Sequence, residues 1–107
     1  MKRGEVWTVS GAGTAGKPGP AVIVQDARFD ATASVTLCVF TTDETEAPLF
    51  RLAVTPSDRN GLRCVSRLMV DKLTTVSRER LGERIGRLDD KDVVRLNRAI
   101  VVFLGLA

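Results

Sequence analysis

With 107 residues, 44% of them hydrophobic and 27% charged, the chain can build one modest core and not two. No apolar run is long enough for a bilayer and no charged-then-apolar leader opens the chain, so a cytoplasmic protein without a membrane span is expected. Histidine is absent, which excludes a histidine acid–base pair, and with only two cysteines neither a zinc site nor any other cofactor is expected.

The first two-thirds read as short strands. Residues 5–9 alternate, with Trp7 and Val9 on one face, and Trp7 is expected in the core, with base stacking as its alternative use. Residues 10–16, SGAGTAG, lack side-chain bulk and are expected to be mobile in the free protein. A continuous apolar run follows at 20–25, the pattern of a strand buried on both faces. Residues 34–40 alternate Val35, Leu37 and Val39 against Thr36, Cys38 and Phe40. After an acidic turn at 43–48, residues 49–54 place Phe50, Leu52 and Val54 together, and 56–61 (PSDRNG) is turn chemistry throughout. Strands are expected at 64–70 and 83–88, with a short helical turn at 77–81 capped by Ser77. Cys38 and Cys64 both lie in strand-like runs and read as reduced core residues.

The last element differs. Asp89 is placed to cap a helix, Asp90 and Asp92 sit in its first turn where the helix dipole favours acids, and Val93, Leu96, Ile100 and Phe103 form a stripe before Gly105 ends it. From 99 to 104 apolar residues go all the way round, so a second surface must cover this end, either the far edge of the sheet or another subunit. Five or six short strands and one helix predict a mainly β protein with α additions (α+β), a compact antiparallel barrel-like sheet with a C-terminal helix.

Charge is unevenly spread. The net charge is +3, yet residues 59–88 carry eight basic groups against three acids. Guanidinium groups meet phosphate oxygens in a bidentate fork, so this segment suits a polyanion, while a solvated face of salt-bridged arginines is the plainer alternative. Asp71, beside Lys72, reads as a salt-bridge partner.

Several of these segments in this order carry a resemblance: KRGEVW at 2–7, KPGPAVIVQ at 17–25, Thr41 directly after the SVTLCVF run, SRLMVDKLTTV at 66–76, and RIGRLDD before the apolar helix. The chain resembles the MazF/PemK family, toxins of type II toxin–antitoxin pairs, over essentially its whole length. The resemblance implies a single toxin domain over 1–107 with the SH3-like barrel shared by CcdB and MazF. It further implies a sequence-specific endoribonuclease (mRNA interferase) that cleaves single-stranded mRNA, assembles as a homodimer and is neutralised by a cognate antitoxin. Carried over to this sequence, Thr41 supplies a catalytic hydroxyl, and Lys17, Thr42, Arg67 and Lys72 are the expected RNA contacts. The residue before the second proline is typically a catalytic arginine in that family, whereas here it is Gly19. Either the enzyme is attenuated or disarmed, or Lys17 takes the arginine's place. The alternatives are a gyrase poison like CcdB, which shares the fold and acts through an apolar C-terminus such as FLGLA at 103–107, and a barrel-like binding module without toxic activity.

Overall fold

The computed structural model describes residues 1–11 and 17–106. Most of the loop expected over 10–16 therefore lies outside the described residues. Seven strands and one helix follow in chain order: β1 (Glu5–Val9), β2 (Gly19–Ile23), β3 (Ser34–Thr41), β4 (Arg51–Val54), β5 (Ser66–Met69), β6 (Thr74–Ser77), β7 (Leu81–Arg87) and α1 (Asp90–Phe103). Every pairing is antiparallel and the sheet runs β4-β5-β3-β2-β1-β7, with β6 beside β3. No ladder joins β4 to β7 among the described residues, so the sheet is open. The backbone bond from Arg87 N to the Arg59 carbonyl, 2.9 Å, stitches the end of β7 to the turn after β4.

β3 organises the molecule. One flank pairs with β2 through Leu37, Cys38 and Val39. The other flank has two partners in succession: Ser34–Leu37 lies on β6, and Phe40 and Thr41 lie on β5. The chain passes from β5 to β6 through a 3-10 turn, Val70–Lys72. This β6 strand, absent from the set read off periodicity, is only four residues of TTVS with Val76 alone buried, too short for an alternation signal.

Both faces of the central strands are covered, as the apolar run at 20–25 predicts. Val6, Val22, Cys38, Phe40 and Leu68 form one core with Leu88, Leu96 and Ala99, while Val9, Ala21, Ile23, Leu37 and Val39 form a second with Met69 and Val76. Trp7 is half-buried against the second core and donates its Nε1–H to Glu5 Oε1 at 3.1 Å. Cys38 is buried, and its burial pushes the thiol up to about 12. Cys64 corrects the sequence reading. The strand expected from residue 64 begins at Ser66, and Cys64 stands exposed in the preceding loop, because the turn around Gly61 continues to Val65 before the chain joins β4.

Ser77 caps its 3-10 turn as expected, accepting from Glu79 N at 3.4 Å. Asp89 occupies the N-cap of α1 without capping it through its side chain, which is held by Arg59 at 3.4 Å. Leu96 and Ala99 are buried, Val93 and Ile100 are partly so, and Phe103 meets Phe50 with ring centroids 5.9 Å apart. The helix stops because Gly105 turns left-handed, φ +72°, and the Gly105 and Leu106 N–H groups bond back to Val102 and Val101 carbonyls. Among the described residues no helix is long and apolar enough to cross a membrane.

The turn between β4 and β5 is built tightly. Asn60, 2% exposed, accepts from Ser57 N and Leu62 N, each at 3.0 Å, and donates to the Thr55 carbonyl at 2.9 Å. Gly61 follows at φ +72°, and a Cβ there would fall on the Ile85 carbonyl oxygen. Gly61→Ala therefore combines left-handed strain with overpacking against backbone, and is expected to cost about 2–5 kcal/mol. Chemical denaturation of the variant beside the unmodified protein measures this, and equal midpoints would refute it.

Candidate active site

The switch of partner along β3 leaves a hollow. Where β3 passes from β6 to β5, the intervening 3-10 turn leaves the ladder while Val70 stays buried in the first core, and a cleft of about 750 Å³ opens over the C-terminal end of β3. Thr41, Thr42 and Asp43 line one side, Lys72 and Arg51 another, and Arg80 closes the end beside Gly11. A second hollow of about 430 Å³ adjoins it, sharing Pro20, Thr42 and Ser66 as common walls.

Three of the residues singled out in the sequence thus meet in one place: Thr41, Thr42 and Lys72. The Thr41 hydroxyl accepts a hydrogen bond from Asp43 N at 3.1 Å, which leaves its own proton to offer. Arg67 is paired through its backbone with Thr41, but its guanidinium is spent on the acidic turn, reaching the Asp43 carbonyl at 3.3 Å and Glu46 at 3.0 Å. It does not line the cleft. Neither do Lys17 and Gly19. Gly19 opens β2 opposite Val9, next to Pro20, in a strand backbone whose φ is not positive.

Arg51 and Arg80 were not singled out, although both bring positive charge into the cleft. Arg51 sits at the start of β4 and grips Asp71 in a two-bonded fork, Nε to Oδ1 at 2.8 Å and Nη2 to Oδ2 at 3.0 Å. Asp71 is thus a salt-bridge partner, but to Arg51 rather than to its neighbour Lys72. The Arg51 hydrogen bonds hold the Asp71 carboxyl below its ordinary range and raise Arg51 in turn. Asp43 is also lowered, first by the Thr45 hydroxyl bonding it at 2.5 Å, so it adds a fixed negative charge at the cleft mouth.

The basic segment 59–88 divides cleanly. Arg59, Arg67, Arg78, Arg84 and Arg87 are ion-paired with Asp89, Glu46, Asp30, Glu5 and Asp90 respectively. Among the described residues Arg63, Lys72 and Arg80 make no ion pair, and all three face the two adjoining hollows. The basic segment thus holds both a salt-bridged face and, in different residues, cations without an ion pair among the described residues. Sequence reasoning found the segment and missed the division, because the partners lie up to 79 positions away, as Arg84 does from Glu5. No group of three or more His, Cys, Asp or Glu side chains fit to hold a metal ion occurs among the described residues.

The two hollows of this small β-sheet protein are thus lined by a threonine hydroxyl and by cations without an ion pair among the described residues, groups that can meet phosphate oxygens. Residues 2–104 match the family described as PemK-like, MazF-like toxin of type II toxin-antitoxin system. The chain belongs to that family. A probable endoribonuclease MazF of Mycolicibacterium smegmatis is 53% identical over 108 residues, which cover 100% of this chain and 99% of the relative. Among solved structures, an endoribonuclease in complex with its cognate antitoxin from a mycobacterial species superposes with a TM-score of 0.82 at 27% identity, covering 100% of this chain and 97% of that one. The Mycobacterium tuberculosis toxin MazF-mt6 gives 0.81 at 21% identity, covering 96% and 98%, and supports the fold alone.

The Arg51–Asp71 pair has a pH signature. Because the folded-state pKa of Asp71 is depressed, the pair's contribution is complete above the ordinary value of 3.8 and is lost as pH falls through the lowered one. Asp71→Asn is expected to cost about 1–3 kcal/mol at neutral pH, with the gap to the unmodified protein closing between about pH 5 and about pH 2. Urea titrations across that range test the sign, and a gap that widens on acidification would contradict it.

Proposed function

We propose that residues 1–107 form one toxin domain, an endoribonuclease that cleaves single-stranded mRNA in the cleft at the end of β3 and is restrained by a cognate antitoxin in the cytoplasm. The observation that carries this reading is that the only cations of the basic segment without an ion pair among the described residues are those facing the two hollows. The 53% identical relative named as a probable endoribonuclease, and the related structure solved with its antitoxin, support it. Nothing in the fold or the comparisons favours the gyrase-poison alternative.

In this reading Lys72 and Arg80 hold the phosphodiester backbone, Arg51 is held in position by Asp71, and the Thr41 hydroxyl donates to a phosphate oxygen as negative charge develops on it. Asp43 repels phosphate from the cleft mouth and biases the strand toward Lys72. The remaining charged donor is the one the family supplies just before the second proline, where this chain has Gly19. A preorganised donor of that kind is worth roughly 100- to 1,000-fold in rate. Gly19→Arg is expected to raise RNA cleavage by about that factor, with Thr41→Ala abolishing the gain. Cleavage by the unmodified chain that disappears on Lys17→Ala would instead place the donor at Lys17. Binding of single-stranded RNA should fall steeply with salt. Lys72→Ala with Arg80→Ala should make the log–log salt slope shallower by roughly 0.7 for each phosphate that is no longer neutralised. RNA affinity indifferent to salt and to both changes would refute the assignment.

The homodimer belongs to the same proposal. Val101, Val102, Phe103, Leu104 and Leu106 stand exposed at the end of α1, with Leu106 71% exposed, a larger apolar cluster than scattered surface residues make. Val102→Asp removes that surface without touching a buried residue and should yield a folded monomer. Identical sedimentation of the variant and the unmodified protein would show that this patch is not the interface.

A further inference from the structure

The segment KRGE at 2–5 takes no part in the cleft, yet it builds a hollow of its own. Glu5 N bonds the Lys2 carbonyl at 3.1 Å, closing a β-turn whose third residue, Gly4, is left-handed at φ +91°. Gly4 N bonds the Ile23 carbonyl at 2.8 Å and the Gly4 carbonyl accepts from Leu88 N at 2.9 Å, which anchors the turn on β2 and on the end of β7. Lys2, Arg3 and Glu5 thereby join Arg84 and Arg87 around a space of about 370 Å³. Arg80, in the cleft, and Arg87 stand at opposite ends of β7, roughly 20 Å apart at about 3.3 Å per residue.

Every residue lining this hollow is charged, four cations against one carboxylate. The carboxylate is fixed in place. Glu5 Oε1 accepts from Lys2 N at 2.9 Å and from Trp7 Nε1 at 3.1 Å, and Oε2 meets Arg84 Nε at 3.1 Å. Burial works against its charge, but those bonds and the Arg84 guanidinium hold the carboxyl below its usual range. Arg3 is oriented by its Nε bond to the Val24 carbonyl at 2.9 Å. Neither Lys2 nor Arg3 makes an ion pair among the described residues, and Arg87 pairs with the 93% exposed Asp90 at 3.6 Å. With Asp90 counted, two positive charges remain in excess.

We propose that this hollow binds a terminal phosphate group, a phosphate monoester or pyrophosphate, at a site separate from the cleft. A monoester carries about −1.5 to −2 charge at pH 7, which matches the excess of two, and guanidinium groups meet its oxygens in pairs. Among the described residues the lining holds no apolar or aromatic wall to receive a base or an acyl chain, so the phosphate itself is what the site recognises. A peptide carboxylate brings one charge and two oxygens to the same four cations, where a terminal phosphate brings about two charges and three oxygens. The site stands whether or not the cleft cleaves RNA.

Trp7 reports on the site, being the only tryptophan and bonded to the acid that holds Arg84. The unmodified protein is titrated with pyrophosphate at constant ionic strength, followed by Trp7 emission and by calorimetry, and saturable binding is expected. Lys2→Ala with Arg87→Ala, both at exposed positions, should weaken it about tenfold or more. Arg98→Ala, which removes a charge from an exposed position on α1, should leave it within about twofold, and so should Lys72→Ala with Arg80→Ala in the cleft. One RNA sequence is then compared with and without a 5′-phosphate. Tighter binding of the phosphorylated form, lost in the Lys2→Ala, Arg87→Ala protein, identifies an RNA end as the source. Equal binding of the two RNAs beside saturable pyrophosphate binding identifies a free phosphate compound. No saturable pyrophosphate binding by calorimetry, an equal loss on Arg98→Ala, a loss confined to the cleft variant, or tighter binding of an oligo-aspartate peptide than of pyrophosphate would each overturn the site.

Discussion

Everything in this fold hangs on one strand having three neighbours. β3 is eight residues long, its second flank is shared between two four-residue strands, and neither β5 nor β6 alone could satisfy its backbone. Unpaired buried amides are costly, so the ladder must be completed from both. The chain between them then has to leave the sheet, which it does in the 3-10 turn carrying Asp71 and Lys72. The cleft is the space that detour leaves. Its floor includes Val39 and Phe40, which belong to the two opposite cores. Thr41 is thus the first β3 side chain beyond the buried run, on a backbone paired with Arg67 of β5.

Charge is managed by the same economy of position. Paired arginines tie loops to strands: Arg67 holds the acidic turn, Arg59 reaches the start of α1, and Arg84 binds Glu5 across β1 and β7. These pairs are half-exposed, and such pairs contribute little stability individually. Their larger effect is to neutralise most of the basic segment 59–88, whose remaining cations without an ion pair among the described residues, Arg63, Lys72 and Arg80, line the two hollows. Arg51 is an intermediate case. Gripped by Asp71 with both partners mostly buried, it has little freedom to follow a ligand and serves as a fixed donor, while Lys72 and Arg80 are free of ion pairs among the described residues.

The glycine before Pro20 shows how little the β1–β2 pairing depends on a side chain. Gly19 keeps its place in β2 and its register opposite Val9, in a backbone whose φ is not positive. The β1–β2 pairing depends on backbone bonds and on the burial of Ala21, Val22 and Ile23 just beyond, not on what side chain stands at residue 19.

Local order was legible in the chain where one residue's neighbours in sequence are also its neighbours in space. Two-faced burial of 20–25, the capped turn at Ser77, and a C-terminal helix stopped by Gly105 all depend on periodicity and local hydrogen bonds, and all were present in the residues alone. The family resemblance rests on the same local segments, and through it the sequence named Thr41, Gly19, Lys17, Thr42, Arg67 and Lys72, of which Thr41, Thr42 and Lys72 line the cleft. What it did not contain was the pairing of distant elements. Cys64 looked like a strand residue because LRCVSRLMV is apolar and β-branched enough, but the register of β4 against β5 starts the ladder at Ser66. Arg67 was the expected RNA contact and Arg80 only one member of the basic run. Only the folded chain brings Glu46 to one and leaves the other facing the cleft, because salt bridges and hollows are set by which strands lie side by side, and that choice is made by burial over the whole core and not by any short stretch of residues.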